Sequence, residues 1–329
     1  MRMRTKPMLV MAVLTLVGCG GGSEMTVAGP GSVSPLFIGT TGGGASANGL
    51  PFADGSQSYA DVEGQTLKVK VARYLTDYET GQTSLVISDE TVSFAVDDGG
   101  RISDFTITIG GETLVYSGKL AKDSNDRDWE SFLNTQASVS GTGGIFSYSF
   151  DTDIGEPGAL DTEGFFAVGF ETDPDTIARL ATNPSYRGDW YGWGVLVDEN
   201  GDITASEVDG SGTIDLVANF AAGRVRGSLS GLFDPNLSVI GDEFDISGTI
   251  TTTSIQGNGF VGDLNLANCH SGFTCTSSSQ VAGAFFGADA EEISGIIGFD
   301  ASSTNDASGA SERLISGAGF TASEAAPVE

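Results

Sequence analysis

Basic residues are scarce in this chain. Its 329 residues hold 15 lysines and arginines against 44 aspartates and glutamates, a formal net charge of -29. A body of that sign repels a phosphate backbone, so nucleic acid is excluded as a partner. The acids come in twos and threes rather than as one tail, the pattern of a solubilised surface. Histidine is scarcer still, with His270 alone. No G-x-S-x-G segment occurs, and paired carboxylates are too common in so acidic a chain for any pair to stand out. Catalysis lacks its usual residues, and no enzyme activity is expected. Haem ligands are as thin: past residue 18 the chain holds His270 and one methionine, Met25. No cofactor and no metal site is expected.

The apolar run at residues 8–17 is too short to cross a bilayer as a helix. Arg2, Arg4 and Lys6 precede it, and together they make a secretory signal peptide over residues 1–18. Leu16-Val17-Gly18-Cys19 closes it and resembles the lipobox at which lipoprotein signal peptidase cuts and the cysteine is acylated. Each buried CH2 of an acyl chain on Cys19 adds about 0.8 kcal/mol of anchoring. The alternative is an ordinary signal peptide with a chance cysteine. Residues 19–57 are dominated by glycine, serine and proline, the composition of a flexible tether. Within it, Leu36-Phe37-Ile38 has the make-up of a short strand. Two of the three cysteines remain, Cys269 and Cys275. An exported chain meets an oxidising compartment, so these two are expected to pair. The closed loop is small and is worth about 2–3 kcal/mol. A metal reading of Cys-His-x4-Cys lacks a fourth ligand.

Short apolar runs separated by Gly, Ser, Thr, Asp and Asn indicate an all-β fold. In the first half, residues 58–183, Leu67-Lys68-Val69-Lys70-Val71 alternates, as do residues 85–88, 91–96, 105–109 and 113–116. Asp97-Asp98-Gly99-Gly100 and Gly110-Gly111 read as hairpin turns. Residues 123–134 differ: Trp129, Phe132 and Leu133 are spaced like one side of a helical turn, which predicts a short helix or ordered loop. Residues 172–183 connect the halves, with Ile177 and Leu180 one helical turn apart.

The second half, residues 184–322, reads as eight strands near 186–197, 206–220, 224–233, 243–254, 258–267, 278–287, 292–300 and 313–321. Phe244, Ile246, Gly248 and Ile250 share one face, opposite Asp245, Ser247 and Thr249. Phe260, Gly262, Leu264 and Leu266 share another, opposite Asp263 and Asn265. Eight antiparallel strands with short turns suit a small closed barrel filled by its own side chains. Asp215, Asn219, Asp245 and Asp263 on the outward faces exclude a lipid-facing band. Gly257-Asn258-Gly259-Phe260-Val261-Gly262 satisfies G-x-G-x-x-G, but a strand follows it, so it reads as a hairpin turn. Asp198-Glu199-Asn200-Gly201-Asp202 has its glycine fourth rather than sixth, which reads as a turn and not a calcium loop.

Residues 279–300 organise this half. Val281, Gly283, Phe285 and Gly287 fall on one face, and Ile293, Gly295, Ile297 and Phe299 on one face of the next run, a hairpin by period. Gly283-Ala284-Phe285-Phe286-Gly287, then Ala290-Glu291-Glu292-Ile293 and Gly295, resembles the last hairpin of the transferrin-binding protein B family. Ala288 stands where that family usually has proline, and Ser294-Gly295 where it often has two glycines. Tyr186-Arg187-Gly188-Asp189-Trp190 is similar to the family's Tyr-x-Gly-x-Trp first strand. Gly212-Thr213-Ile214-Asp215 and Val225-Arg226-Gly227 match in style.

The resemblance implies a bacterial surface lipoprotein. Its fold would be an irregular β-sheet "handle"-like N-terminal domain over residues 58–183, then an eight-stranded antiparallel β-barrel over 184–322 and a tail at 323–329. It implies lipid anchoring at the cell outer membrane and capture of an iron or haem carrier, or another macromolecule, for a TonB-dependent receptor. The chain has room for one handle-plus-barrel lobe. A structural or adhesive surface lipoprotein is the alternative. Ligand contacts in the family lie mostly on the N-terminal portion and on loops at one end. Here that points to Arg127, Trp129 and Phe132, set among Asp123, Asp126, Asp128 and Glu130; aromatic anchors ringed by charge make binding hot spots. The same aromatics would equally plug a helix onto the sheet, and Arg127 would equally serve a local salt bridge.

The cysteine assignments are checked together. Cys19→Ser should stay unprocessed or become soluble on membrane fractionation. Thiol labelling of unreduced, denatured mature protein should find neither Cys269 nor Cys275 free. Normal processing with membrane retention of the variant would remove the lipobox, and labelling of both thiols would remove the disulfide.

Overall fold

A computed structural model describes residues 25–26, 48–56, 63–77, 82–96, 102–109, 112–117, 120–122, 128–130, 136–137, 143–151, 160–235, 244–268, 273–305 and 311–325. Cys19, Arg127, Phe132, Cys269, the Leu36-Phe37-Ile38 segment and the turns at Asp97-Gly100 and Gly110-Gly111 lie outside them.

The first half forms one sheet of ten strands. They are β1 (Met25–Thr26), β2 (Leu67–Asp77), β3 (Gln82–Val96), β4 (Ile102–Ile109), β5 (Glu112–Ser117), β6 (Leu120–Lys122), β7 (Asp128–Glu130), β8 (Gln136–Ala137), β9 (Gly143–Asp151) and β10 (Leu160–Gly169). The order is β7-β6-β5-β4-β3-β2-β10-β9-β8, with β1 paired to β3. Two expectations need correction. Residues 128–130 are an edge strand paired to β6, with Trp129 opposite Ala121, and not a helical turn. Three apolar residues fit either period, and the waiting edge of β6 supplies hydrogen bonds that a lone turn lacks. Part of the expected tether also belongs to the body. Met25 and Thr26 pair with Ile87 and Val86. Asn48 accepts from the Lys68 backbone and donates its amide to the Gly169 carbonyl, each at 3.1 Å. Leu50 is buried. Composition reports flexibility in isolation, and a sheet's unmet backbone groups override it.

The helix α1 (Pro174–Arg179) links the halves. Asp173 caps it, accepting from the Asp175 backbone at 2.8 Å, and Pro174 fits the first turn, where its missing N–H would have had no partner. The barrel follows as β11 (Ser185–Asp198), β12 (Ile203–Asn219), β13 (Arg224–Pro235), β14 (Phe244–Gln256), β15 (Gly259–Asn268), β16 (Phe273–Ser277), β17 (Gln280–Phe286), β18 (Glu292–Asn305) and β19 (Ser311–Glu324). All pairings are antiparallel. β19 pairs with both β18 and β11, which closes the ring through β12, β13, β14, β15 and β17. The expected sixth strand is β17, which pairs with residues 292–298 of β18, and an additional strand, β16, precedes it and pairs with residues 301–305 of β18. Between them the Ser279 hydroxyl accepts from the Asp300 backbone, at 3.1 Å. Gly257 at φ 60 makes the β14–β15 turn, as the hairpin reading of the glycine motif requires.

The barrel is not wet all round. Every residue of β17 is buried. Its odd positions, Val281 and Phe285, enter the barrel interior with Ile293, Ile297 and Phe299. Its even positions, Ala282, Ala284 and Phe286, pack with Ile296 against Ala72, Ile87, Ile145 and Ala167 of the N-terminal sheet. A second patch joins Tyr74 and Leu85 to Val195, Val197 and Ile315. Small residues set the separation. A Cβ on Gly317 would sit 2.4 Å from the Ala72 carbonyl oxygen, which is backbone and cannot yield.

Ile297→Asp should cost at least about 4 kcal/mol, because it strands a carboxylate in the closed interior. Asp245→Ala, on the exposed wall, should stay within about 0.5 kcal/mol. Urea denaturation of both variants checks this, and equal effects would mean that the faces are reversed.

Candidate ligand-binding surfaces

The barrel interior is filled by its own rings. Trp190 lies 5.3 Å from Phe233 and 5.3 Å from Phe299, which meet each other edge-on at 5.2 Å. Its indole N–H donates to the Ser230 carbonyl at 3.1 Å. Gly231 permits this, since a Cβ there would sit 2.5 Å from the indole ring. A second group gathers on Phe285, with Phe220 at 5.0 Å, Phe260 at 5.9 Å and Tyr186 at 6.2 Å. Each such ring pair adds about 0.5–1.5 kcal/mol beyond its buried area. Among the described residues these rings occupy the barrel interior.

Tyr186 ties the plug to the rim. Its hydroxyl donates to the Ala290 carbonyl at 2.7 Å. Burial first, then the charges of Glu324 and Glu291, raise its pKa well above the ordinary tyrosine range. Nearby, the Thr172 hydroxyl donates to the Gly287 carbonyl at 2.7 Å, and the Thr172 backbone to the Phe285 carbonyl at 2.9 Å. The buried Glu171 accepts from the Asn258 amide at 2.5 Å. These bonds fasten the connection between the halves to the β17–β18 hairpin end. They are structural in effect.

The wall away from the N-terminal sheet, over β12 to β15, is bare and hydrophilic. Thr213, Ser228, Ser230, Thr249 and Thr251 point outward beside Asp215, Asp245 and Asp263. A trough of about 650 Å³ crosses this wall at the β11–β14 end, lined by Arg187, Asp215, Val217, Arg226, Ser228 and Thr251 among others. A smaller hollow of about 280 Å³ adjoins it and shares Asp215, Ser228 and Thr249. The Arg187 Nε donates to Asp215 Oδ1 at 2.7 Å, and this pairing holds the guanidinium pKa up. Sequence reading missed the trough, because it arises from side chains on four strands. The signal that was there is the clustering of arginines at positions 187, 224 and 226.

Of the residues expected to bind ligand, Trp129 sits on the edge strand β7 of the N-terminal sheet; Arg127 and Phe132 lie outside the described residues. At Asp198 the turn reading stands: its Oδ1 accepts from the backbone of Asn200 at 2.8 Å and of Asp202 at 2.9 Å. These bonds, led by the Asn200 side chain, lower the Asp198 pKa. Among the described residues no His, Cys, Asp and Glu cluster is arranged to hold a metal.

The described residues thus form a closed antiparallel barrel, filled by its own rings, with a sheet docked on its wall. Residues 181–319 match the sequence model of the C-lobe and N-lobe beta barrels of Tf-binding protein B. The barrel half of the chain is thus a barrel of the transferrin-binding protein B type. No curated protein matches the chain. Similar solved structures include the isotype 1 transferrin-binding protein B of serogroup B Neisseria meningitidis, at 15% identity and TM-score 0.34, over 78% of this chain and 44% of that one. A double mutant of the vaccine antigen transferrin-binding protein B from Haemophilus parasuis Hp5 has 17% identity and TM-score 0.35, over 77% of this chain and 45% of that one. The chain therefore spans less than half the length of the solved proteins it matches.

Tyr186→Phe should lose about 1–2 kcal/mol through the unpaired Ala290 carbonyl. The sign of the pH effect follows from the raised folded pKa. The stabilisation from a neutral Tyr186 is complete below the unfolded value near 10 and is lost as pH rises above it. In a 295 nm titration of the folded protein to about pH 12, the wild type and Tyr186→Phe should ionise the same number of tyrosines. An extra ionising group in the wild type would place Tyr186 in solvent.

Proposed function

We propose that the chain is a lipoprotein, anchored through Cys19 to the cell outer membrane and displayed at the surface. There it captures a macromolecular iron or haem carrier for a TonB-dependent receptor, with no chemical step of its own. One observation carries this reading: the match of residues 181–319 to the barrels of Tf-binding protein B. The filled interior supports it, since a plugged barrel suits a partner too large to enter. The leader and lipobox support the anchor, and the strongly acidic body supports a soluble, exposed position. We further propose that Cys269 and Cys275 close the β15–β16 connection. Support comes from the count of three cysteines with Cys19 assigned to lipid. Arg127, Trp129 and Phe132 are proposed as ligand contacts, Trp129 lying on β7, the terminal strand of the N-terminal sheet.

The mature chain, immobilised from detergent, should retain an iron-loaded transferrin or another iron or haem carrier from a panel. Protease shaving of intact cells should remove its body. Trp129→Ala should weaken retention at least tenfold, about 1.4 kcal/mol, with the melting temperature nearly unchanged. A chain that survives shaving and retains no carrier is not a capture module. A variant that melts early but binds normally per folded molecule places Trp129 in the core and the site elsewhere.

A further inference from the structure

The trough on the bare barrel wall gathers basic residues that are scarce in the barrel half. Between residues 184 and 322 the chain has four basic residues, Arg187, Arg224, Arg226 and Arg313, and no lysine. Arg313 is engaged elsewhere by a two-pronged pair with Asp300, at 2.7 and 2.8 Å. The other three lie on β11 and β13, the two strands that flank β12, at one end of the wall. Arg187 stands opposite Asp215, and Arg226 stands opposite Val217 on the same strand, β12. Arg187 and Arg226 are therefore two strands apart, roughly 10 Å, with the trough between them. Both side chains are long enough to reach one bound group. Arg226 is exposed, and among the described residues no acid pairs with it.

The lining decides what such a site takes. Two guanidinium groups repel a cation and offer planar forks to a carboxylate or phosphate. Around them stand Ser228, Thr249 and Thr251, whose hydroxyls both donate and accept, and the Asp215 carboxylate, which accepts. That set matches an anionic ligand that carries its own hydroxyls. A protein partner would want an open aromatic or large aliphatic anchor pocket, and the apolar lining of the trough is Val217 and Ala325 with the edges of the buried Tyr186, Leu216 and Ile250. The volume of about 650 Å³ accommodates a few sugar rings. We propose that this trough binds an acidic saccharide, with Arg226 forking onto its carboxylate or phosphate, Arg187 supporting from across the groove, and the Ser/Thr wall bonding the ring hydroxyls. It stands apart from carrier capture, which is assigned to the N-terminal sheet.

Isothermal titration calorimetry at low salt on the mature chain tests this with four probes of similar length. They are an oligogalacturonate, a mannose 6-phosphate oligosaccharide, a neutral oligogalactan and an oligoglutamate peptide. At least one acidic saccharide should bind, the preferred one distinguishing carboxylate from phosphate, and neutral sugar and peptide should bind at least tenfold more weakly. Arg226→Gln should weaken binding at least tenfold with the melting temperature unchanged, and Arg313→Gln should not. Added salt should lower the affinity. Failure of both acidic saccharides to bind, equal binding of the neutral sugar or of the peptide, or wild-type affinity in Arg226→Gln would overturn the proposal.

Discussion

The structure depends on the close approach of two β-layers. The outer wall of β17, β18 and β19 lies against the N-terminal sheet, close enough that Gly317 has no room for a side chain beside the Ala72 carbonyl. Across a longer gap the alanines at 72, 167, 282 and 284 would leave voids, and a void forfeits the dispersion contacts that a close-packed interior needs. The contact also gives the barrel a back and a front. Its back strands are buried on both faces, and its front strands are buried on one.

That asymmetry sorts the polar residues. The front wall keeps strict alternation, with Ile246 and Ile250 inside and Asp245 and Thr249 outside. The back strands give it up, and β17 reads Gln-Val-Ala-Gly-Ala-Phe-Phe without one exposed position. Some of the polar groups retained there are satisfied locally, while the Gln280 Oε1 and Ser303 Oγ atoms have no hydrogen-bond partner among the described residues. Ser294 bonds Thr321 across the β18–β19 pair at 3.1 Å, and Ser316 bonds the Trp193 carbonyl at 2.8 Å. Buried hydroxyls without such partners would each be destabilising by roughly 1–3 kcal/mol.

Filling the barrel with rings has a functional consequence. Trp190, Phe233, Phe299, Phe285, Phe220 and Phe260 occupy the space that a wider or emptier barrel would offer to a small molecule. The proposed contacts accordingly lie on outer surfaces, the front trough and the β7 edge.

Much of the barrel was legible in the sequence because its strands obey period two and its turns are marked by glycine and asparagine. The eight expected runs fall on the eight strands that close the ring, and the hairpin at 279–300 has the two faces assigned to it. Period two says which residues share a face; it does not say what lies beyond that face. For Ala282, Ala284 and Phe286 the answer was the N-terminal sheet, a contact between residues two hundred positions apart in places, which no local pattern encodes. The same limit explains the misread segments. Residues 128–130 and 48–56 carry weak local preference, and long-range backbone pairing decided them. The arginine trough belongs to this class: its parts sit on β11 and β13, and only strand register puts them side by side. By itself the sequence determined the all-β class, the barrel faces and the sign of the charge, since these follow from local periodicity and composition. Only the tertiary structure decided which wall is covered, what fills the interior and where the cations converge, because those depend on which strands become neighbours.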